Sequence, residues 1–319
     1  MVSGRPKVRP PVTRSLLMLN IASRIVARDS WTARQAKISL REQGASDWAW
    51  TLFASDTPAA MEDIARGAAH FGIVNPAGPL TMAVRGTGPF AKPLPLRAIT
   101  VIPSFDQFVF AVSGRTGLRT LDDVRERRYP LRISLRGQTD HSNHLYTDLV
   151  LRTAGFTLDD VVEWGGEVRY DKGLPNVDAR IGAIARGEVD AIFDEALVDW
   201  ISDAAALGMQ FLTLSEPLLQ TLEGMGLRRS LVSRACYPEA PNEVDTLDYS
   251  GWPIYTHAAV PDDVVEMFCA ELDACKDQIP WEGEGPLPLD RMVRNEADTP
   301  LDVPLHPGAE RYWRKKGYL

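Results

Sequence analysis

The chain has 319 residues, 45% of them apolar and 24% charged, with 43 acidic against 35 basic side chains and a formal net charge of −8. These are the proportions of a globular protein with material for one large core or two moderate ones. The acidic balance excludes nucleic acid as the main partner, because phosphate binding needs a basic surface.

The start is basic and proline-rich (Arg5, Lys7, Arg9, Pro10, Pro11), and residues 1–14 read as disordered. Residues 16–22 read as a first buried strand, followed by Ser23 and a helical segment over 25–43 that Gly44 stops. Residues 48–54 alternate as a second strand. Ser55-Asp56-Thr57-Pro58 opens a helix, with an N-cap residue type and a first-turn proline. That helix runs to Arg66 and Gly67 closes it. Residues 71–74 form a third strand, completing a β-α-β-α-β start of parallel strands. Residues 76–95 are rich in Gly and Pro and read as irregular. Strands follow at 96–102 and 108–112, and the first passage between lobes falls on residues 103–107. After a turn and short helix at 118–124 come a strand at 131–135, a loop at 137–143 and a helix from about 142 to 154. A second helix spans 177–186, and residues 211–214 return the chain to the first lobe. Residues 262–275 make an amphipathic helix, and the proline-rich segment 280–307 wraps the surface.

One phrase occurs twice. Ile64-Ala65-Arg66-Gly67 recurs as Ile184-Ala185-Arg186-Gly187, and each copy leads into an apolar run, 71–74 and 191–193. The runs end at Asn75 and at Asp194-Glu195. A helix, a glycine stop and a buried strand thus deliver a polar residue to a strand's C-terminal end, where open α/β sheets place ligands. The pair of units predicts two α/β lobes facing one cleft: 1–103 with 213–319, and 104–212. Each lobe is expected to be a mostly parallel sheet flanked by helices.

The loop after residue 135 is the sharpest local candidate. A helix N-terminus offers unpaired N–H groups and partial positive charge. Gly137 would let a ligand approach the backbone, and Gln138, Thr139, Ser142 and Asn143 offer donors; the competing reading is that Thr139, Asp140 or Ser142 caps its own helix. His141 and His144, three apart, could join Asp194 or Glu195 in a two-histidine, one-carboxylate metal site, although such pairs are often solvated. Asp194-Glu195 either recognises a cationic or hydroxyl-bearing group or caps the next helix. Phe105 and Gln107 sit on the passage between lobes, as cleft wall or hinge packing. Trp252, Tyr255 and His257, on a late strand, read as ligand-stacking or core. Cys236, Cys269 and Cys275 form no CxxC pair, which argues against a disulfide scaffold or a cysteine zinc site. GxSxG, HExxH, GxGxxG and P-loop motifs do not occur.

Several segments together carry a resemblance. They are the opening strand with Ser23, the unit from Ile64 to Asn75, the turn at 118–124 and the strand–glycine–helix at 133–155. To these add Gly187-Glu188-Val189-Asp190-Ala191 and the ending Leu305-His306-Pro307-Gly308-Ala309-Glu310-Arg311-Tyr312. The chain resembles the TAXI group of TRAP-transporter solute-binding proteins, of the periplasmic-binding-protein class with type II topology. The resemblance implies two hinged α/β lobes that close on a small organic acid, with cleft positions at Ser23, Ser55, Asn75, Gln107, Thr139, His141, Asn143 and Glu195. It implies a carboxylate or aromatic acid as ligand, TRAP membrane subunits as partners, and no cofactor. Two departures matter. Residues 16–21 fall short of the roughly 7–15 apolar residues of a secretory signal, so the chain as encoded reads as cytoplasmic, and as periplasmic if an export signal precedes it. No stretch reaches the roughly 20 apolar residues that span a bilayer. Asp194-Glu195 also suits an anionic ligand poorly. These departures favour, as the alternative, a cytosolic enzyme on the same fold, of the dihydroxyphthalate decarboxylase type and assisted by metal at His141, His144, Asp194 or Glu195. A cytosolic ligand sensor is the third reading.

Overall fold

The computed structural model describes residues 14–28, 35–41, 49–55 and 59–319. The disorder expected over residues 1–14 and the helix opening at Asp56-Thr57-Pro58 fall, but for Arg14, outside the described residues.

The first described element is α1 (Arg14–Arg28), which buries none of its side chains. Residues 16–22, expected as a strand, are therefore helical. Their apolar positions 18, 21, 22 and 25 follow helical spacing, and a short apolar run does not by itself distinguish the two states. The helix expected over 25–43 gives way to a strand, β1 (Ala36–Arg41). There Ile38 and Leu40 alternate with Lys37, Ser39 and Arg41, the period of a strand. β1 pairs antiparallel with β2 (Ala49–Ala54), and Ser39 and Thr51 hydroxyls meet across the pair at 2.9 Å. α2 (Ala59–Ala65) buries Ala60, Met61 and Ile64 and leads to β3 (Phe71–Ile73), parallel to β2. Only the second half of the expected β-α-β-α-β start is thus parallel. α3 (Gly78–Arg85) occupies part of the segment expected to be irregular. Pro79 sits in its first turn, where no N–H is needed, while Leu80, Met82 and Ala83 are buried. β4 (Leu96–Ile102) completes this part of the first sheet.

Residues 103–106 carry the chain across to the second sheet. Its elements in order are β5 (Gln107–Ser113), α4 (Leu121–Glu126), β6 (Arg132–Arg136), α5 (Ser142–Thr153), α6 (Leu158–Glu163) and β7 (Glu167–Asp171). Then come α7 (Ala183–Arg186), β8 (Ala191–Asp194), α8 (Ile201–Ala206), β9 (Met209–Phe211), α9 (Glu216–Met225), β10 (Arg229–Val232) and β11 (Val244–Asp248). α4 and α6 each begin with a capping box, Thr120 with Asp123 and Thr157 with Asp160. The chain returns to the first sheet through residues 249–251 into β12 (Trp252–His257), followed by α10 (Asp262–Cys275) and α11 (Pro307–Lys316). The return comes later than residues 211–214, because β9 pairs with β5 and the β10–β11 hairpin adds to the second sheet.

The molecule is thus a mixed α/β fold of two sheets. The first has strand order β1-β2-β3-β12-β4, and the second β10-β11-β5-β8-β6-β7 with β9 also on β5. Among the described strands, only β2–β3, β6–β7 and β6–β8 pair in parallel. Both sheets are therefore mixed rather than mostly parallel. One apolar cluster joins α2, α3, β4, β5, β6 and α5. A second lies under α7, α8 and β9, and a third joins β3 and β4 to α10 and α11. Trp313 of α11 is wholly buried in the third and donates its indole N–H to Ile99 O at 2.9 Å; burying such a side chain contributes roughly 1.5–3 kcal/mol. The two crossing segments are bonded to each other. Tyr249 N donates to Asp106 O at 2.9 Å, Gly251 N to Ser104 O at 2.9 Å, and Asp106 N to Ser250 Oγ at 3.1 Å.

Candidate functional site

The two sheets enclose a cavity of about 1080 Å³ at the crossings. Strand ends build its walls. Ser55 follows β2, Val74 and Asn75 follow β3, Phe105 and Asp106 follow β4, Arg136 ends β6, and Glu195 follows β8. Tyr249 and Trp252 come from the return crossing, and Trp281 and Glu282 from the segment after α10. Across the cavity's edge, Ser142 Oγ of α5 donates to Asn75 O at 2.7 Å, which ties the two sheets' loops together.

Behind the wall lies a buried ionic cluster. Asp194 is fully buried. It accepts from Arg136 Nη2 at 2.5 Å, from Asn143 Nδ2 at 2.6 Å and from Arg180 Nη1. Arg180 is also fully buried and is held by Ser134 Oγ at 3.1 Å, Ser134 O at 3.2 Å and Gly173 O at 3.2 Å. Burial alone would raise the Asp194 carboxyl, but the Arg136 and Arg180 charges and their hydrogen bonds hold it well below the usual carboxylate range. The Arg136 guanidinium reaches on to Glu195.

Asp106 and Glu195 form the second feature. The Asp106 carboxylate accepts from Ala196 N at 2.5 Å, Gln107 N at 2.8 Å and Leu197 N at 3.2 Å. Burial and the Glu195 charge nevertheless push its pKa well above the ordinary value. Burial also raises Glu195, with Asp194 adding to the effect and Arg136 opposing it. Burial is thus the first cause at both carboxyls, and at Asp106 the neighbouring Glu195 charge adds to it.

A model for the NMT1-like family matches residues 55–317. The chain belongs to the NMT1-like family. A search of curated proteins found no match to it. Among solved structures, the NMT1-like chain is similar to the alkanesulfonate-binding protein SsuA of Xanthomonas axonopodis pv. citri bound to MOPS, at 18% identity over 81% of this chain and 70% of that one, with a TM-score of 0.30. It is similar to the periplasmic aliphatic sulphonate binding protein SsuA of Escherichia coli, at 15% identity over 68% and 56% of the two chains, TM-score 0.29. It also resembles the substrate binding domain of a putative molybdenum ABC transporter from Clostridium difficile, at 12% identity over 81% and 88%, TM-score 0.29.

Of the residues singled out from the sequence, the NMT1-like fold brings Ser55, Asn75, His141 and Glu195 to the cavity. Ser23 lies on the exposed face of α1, with its hydroxyl on Asn20 O, because residues 16–22 are helix rather than strand. Gln107 is buried on β5, where its amide oxygen accepts from Tyr237 OH at 2.8 Å. Asn143 and Asp194 stand behind the wall as partners of each other. Gln138 and Thr139 sit outside the cavity lining, Thr139 exposed. Gly137 serves strand packing: its N–H donates to Asp171 O at 2.8 Å, and a Cβ there would come within 3.0 Å of the same oxygen. The α5 N-cap is His141, whose Nδ1 accepts from Asn143 N at 3.2 Å; the ring's own proton is therefore on Nε2 in the neutral form.

The two-histidine metal site does not form. No group of three or more His, Cys, Asp and Glu suited to a metal occurs among the described residues. His144 instead meets Gln138 O at 2.9 Å and packs on Tyr170, and Asp194 is committed to Arg136, Arg180 and Asn143. Of Trp252, Tyr255 and His257, only Trp252 reaches the cavity; Tyr255 is core, and His257 Nδ1 accepts from Ala259 N at 2.9 Å. Sequence reasoning missed Arg136, Arg180, Asp106 and Tyr249. Asp106 was the most accessible of these, since it lies within the recognised crossing.

Proposed function

We propose that this NMT1-like protein is a solute-binding protein of the TAXI kind, whose two sheets act as lobes that close on a small organic molecule. The observation that carries this reading is the cavity itself: strand ends from both sheets line it at the two hydrogen-bonded crossings. A volume of about 1080 Å³ is that of a small-molecule site. The His306-Pro307-Gly308 ending supports the TAXI reading in a structural way. His306 caps α11, its Nδ1 accepting from Gly308 N at 3.2 Å, so the motif positions a helix that covers the first sheet. The proposal extends to delivery of the solute to membrane subunits of a TRAP-type transporter, which places the working protein in the periplasm. Among the described residues no helix is long and apolar enough to cross a membrane.

A carboxylate ligand, the class that the TAXI resemblance implies, would turn to Arg136. That guanidinium already bridges Asp194 and Glu195, so the ligand would have to displace Glu195. A second reading, an enzyme on this fold, is favoured by one observation: Asp106 and Glu195 border the cavity together, and burial raises both carboxyls above their ordinary values, the direction a general acid needs.

The test is a thermal-shift screen of the purified chain against amines, carboxylates, sulfonates, sugars and neutral aromatics. A ligand at a hundredfold excess over Kd adds about 2.7 kcal/mol of stability. The binding reading predicts a saturable shift with at least one class and recovery of the compound unchanged; conversion of the compound during incubation supports the enzyme. No shift with any class overturns the binding reading.

A further inference from the structure

We propose that the solute held in this cavity carries a positively charged organic group on an apolar or aromatic body, and that the Asp106–Glu195 and Asp199–Glu282 carboxyl pairs receive that charge. The inference rests on the solute-binding reading of the same cavity and names the class of solute. Five acidic residues border the cavity: Asp106, Glu195, Asp199, Glu282 and Asp298. Two arginines border it, and each is engaged by carboxylates, Arg136 by Asp194 and Glu195, and Arg291 by Asp298 and Glu296. Even with buried Arg180 counted against Asp194, carboxyl groups outnumber guanidinium groups. Within each proposed pair one carboxyl raises the pKa of the other: the Glu195 charge acts on Asp106, and the Asp199 charge on Glu282, where partial burial at the rim acts first. Like charges crowded at a low-dielectric wall are relieved most by a cation placed between them.

A second line of observation concerns groups that are not acidic. Asn75 borders the cavity and its Oδ1 is a buried acceptor with no donor among the described residues. An ammonium, amidinium or guanidinium brings several donors at once. Four aromatic residues, Phe105, Tyr249, Trp252 and Trp281, also border the cavity, among aliphatic side chains, two serines and His141. Ring faces attract cations and cover apolar surface. The volume is far larger than an inorganic ion needs, and no metal-suited group of His, Cys, Asp and Glu occurs among the described residues. An organic cation satisfies these conditions; an anion would meet the indole N–H of Trp252, a buried donor with no acceptor among the described residues, but no guanidinium that is not already engaged by carboxylates.

The experiment compares three probes of similar size on the full chain: phenethylammonium, 2-phenylethanol and 3-phenylpropanoate, by calorimetry and thermal shift at neutral pH, alongside the broader screen. The expected result is saturable binding of the ammonium, weaker binding of the alcohol and none of the carboxylate. Glu282→Gln, at the solvent-exposed rim, is expected to weaken the ammonium about tenfold, the value of a charge-assisted hydrogen bond. Glu195→Gln is expected to weaken it further and, by releasing Arg136, to admit 3-phenylpropanoate. Preference for the carboxylate, hits confined to compounds without a cationic group, or a cationic hit insensitive to both substitutions overturns the inference while leaving solute binding intact. A screen without hits of any charge overturns both.

Discussion

Two buried ionisable residues set what this chain tolerates. Arg180 is enclosed with Asp194, and removing one partner of such a pair leaves a charge without compensation. Arg180→Met is expected to lower stability by about 3–5 kcal/mol in urea unfolding, and a second change, Asp194→Leu, is expected to restore part of it. Asp248 is different, because it is raised. Burial lifts its carboxyl to about 6 against the ordinary 3.8, outweighing the Ser250 hydrogen bonds and the Arg228 charge. A carboxyl raised in the fold contributes its full stability below the unfolded value, near pH 4, and loses it as pH rises through about 6. Two units correspond to about 3 kcal/mol. Asp248→Asn is therefore expected to be more stable than the parent at pH 8, by up to that amount. The advantage is expected to shrink toward pH 4 in thermal unfolding. If the difference is the same at both pH values, burial does not raise Asp248.

Helix ends show how much local structure was legible. The repeated Ile-Ala-Arg-Gly ends in Gly67 at φ +78° and Gly187 at φ +73°, both in the left-handed region that glycine enters without strain. Space is open where a Cβ would project from Gly67, so Gly67→Ala is expected to cost only the conformational term, about 1 kcal/mol. At Gly187 a methyl would come within 3.2 Å of the Arg115 guanidinium, so the cost there is expected to be larger. Equilibrium unfolding of both variants checks the order. The 262–275 helix was readable because its apolar positions Val265, Cys269 and Leu272 share one face. α3 was not, because Gly and Pro outweighed a buried Leu80-Thr81-Met82-Ala83 run. β1 was lost inside an expected helix because its pairing with β2 is a contact between segments.

The whole molecule is two sheets joined by two bonded crossings and one shared apolar cluster. Gly78 of α3 lies against Tyr146 of α5 and Leu227, so a first-sheet helix rests on second-sheet elements. Closure would pivot on residues 103–106 and 249–251. A chain of this length has a radius of gyration of about 20 Å, and solution scattering with a saturating ligand is expected to show a decrease. Trp252 and Trp281 border the cavity, so the same ligand is expected to change their fluorescence, and Trp252→Phe to remove part of the change.

The sequence by itself determined the α/β class, most of the strands from residue 71 onward, and the delivery of Asn75 and Glu195 to strand ends. Those features rest on apolar period and glycine stops, which act over a few residues. Tertiary structure decided sheet order, the late return to the first sheet and the partners of the acidic pair. Arg136, Arg180 and Asp194 lie 44 and 14 residues apart in sequence, and only the packing of β6, β8 and the turn before α7 brings their charges together. What looked from the sequence like an acidic wall is a cluster neutralised by Arg136 and Arg180 behind and, in front, a carboxyl pair whose ionisation burial disfavours, because charges buried at low dielectric are fixed by partners that no local pattern names.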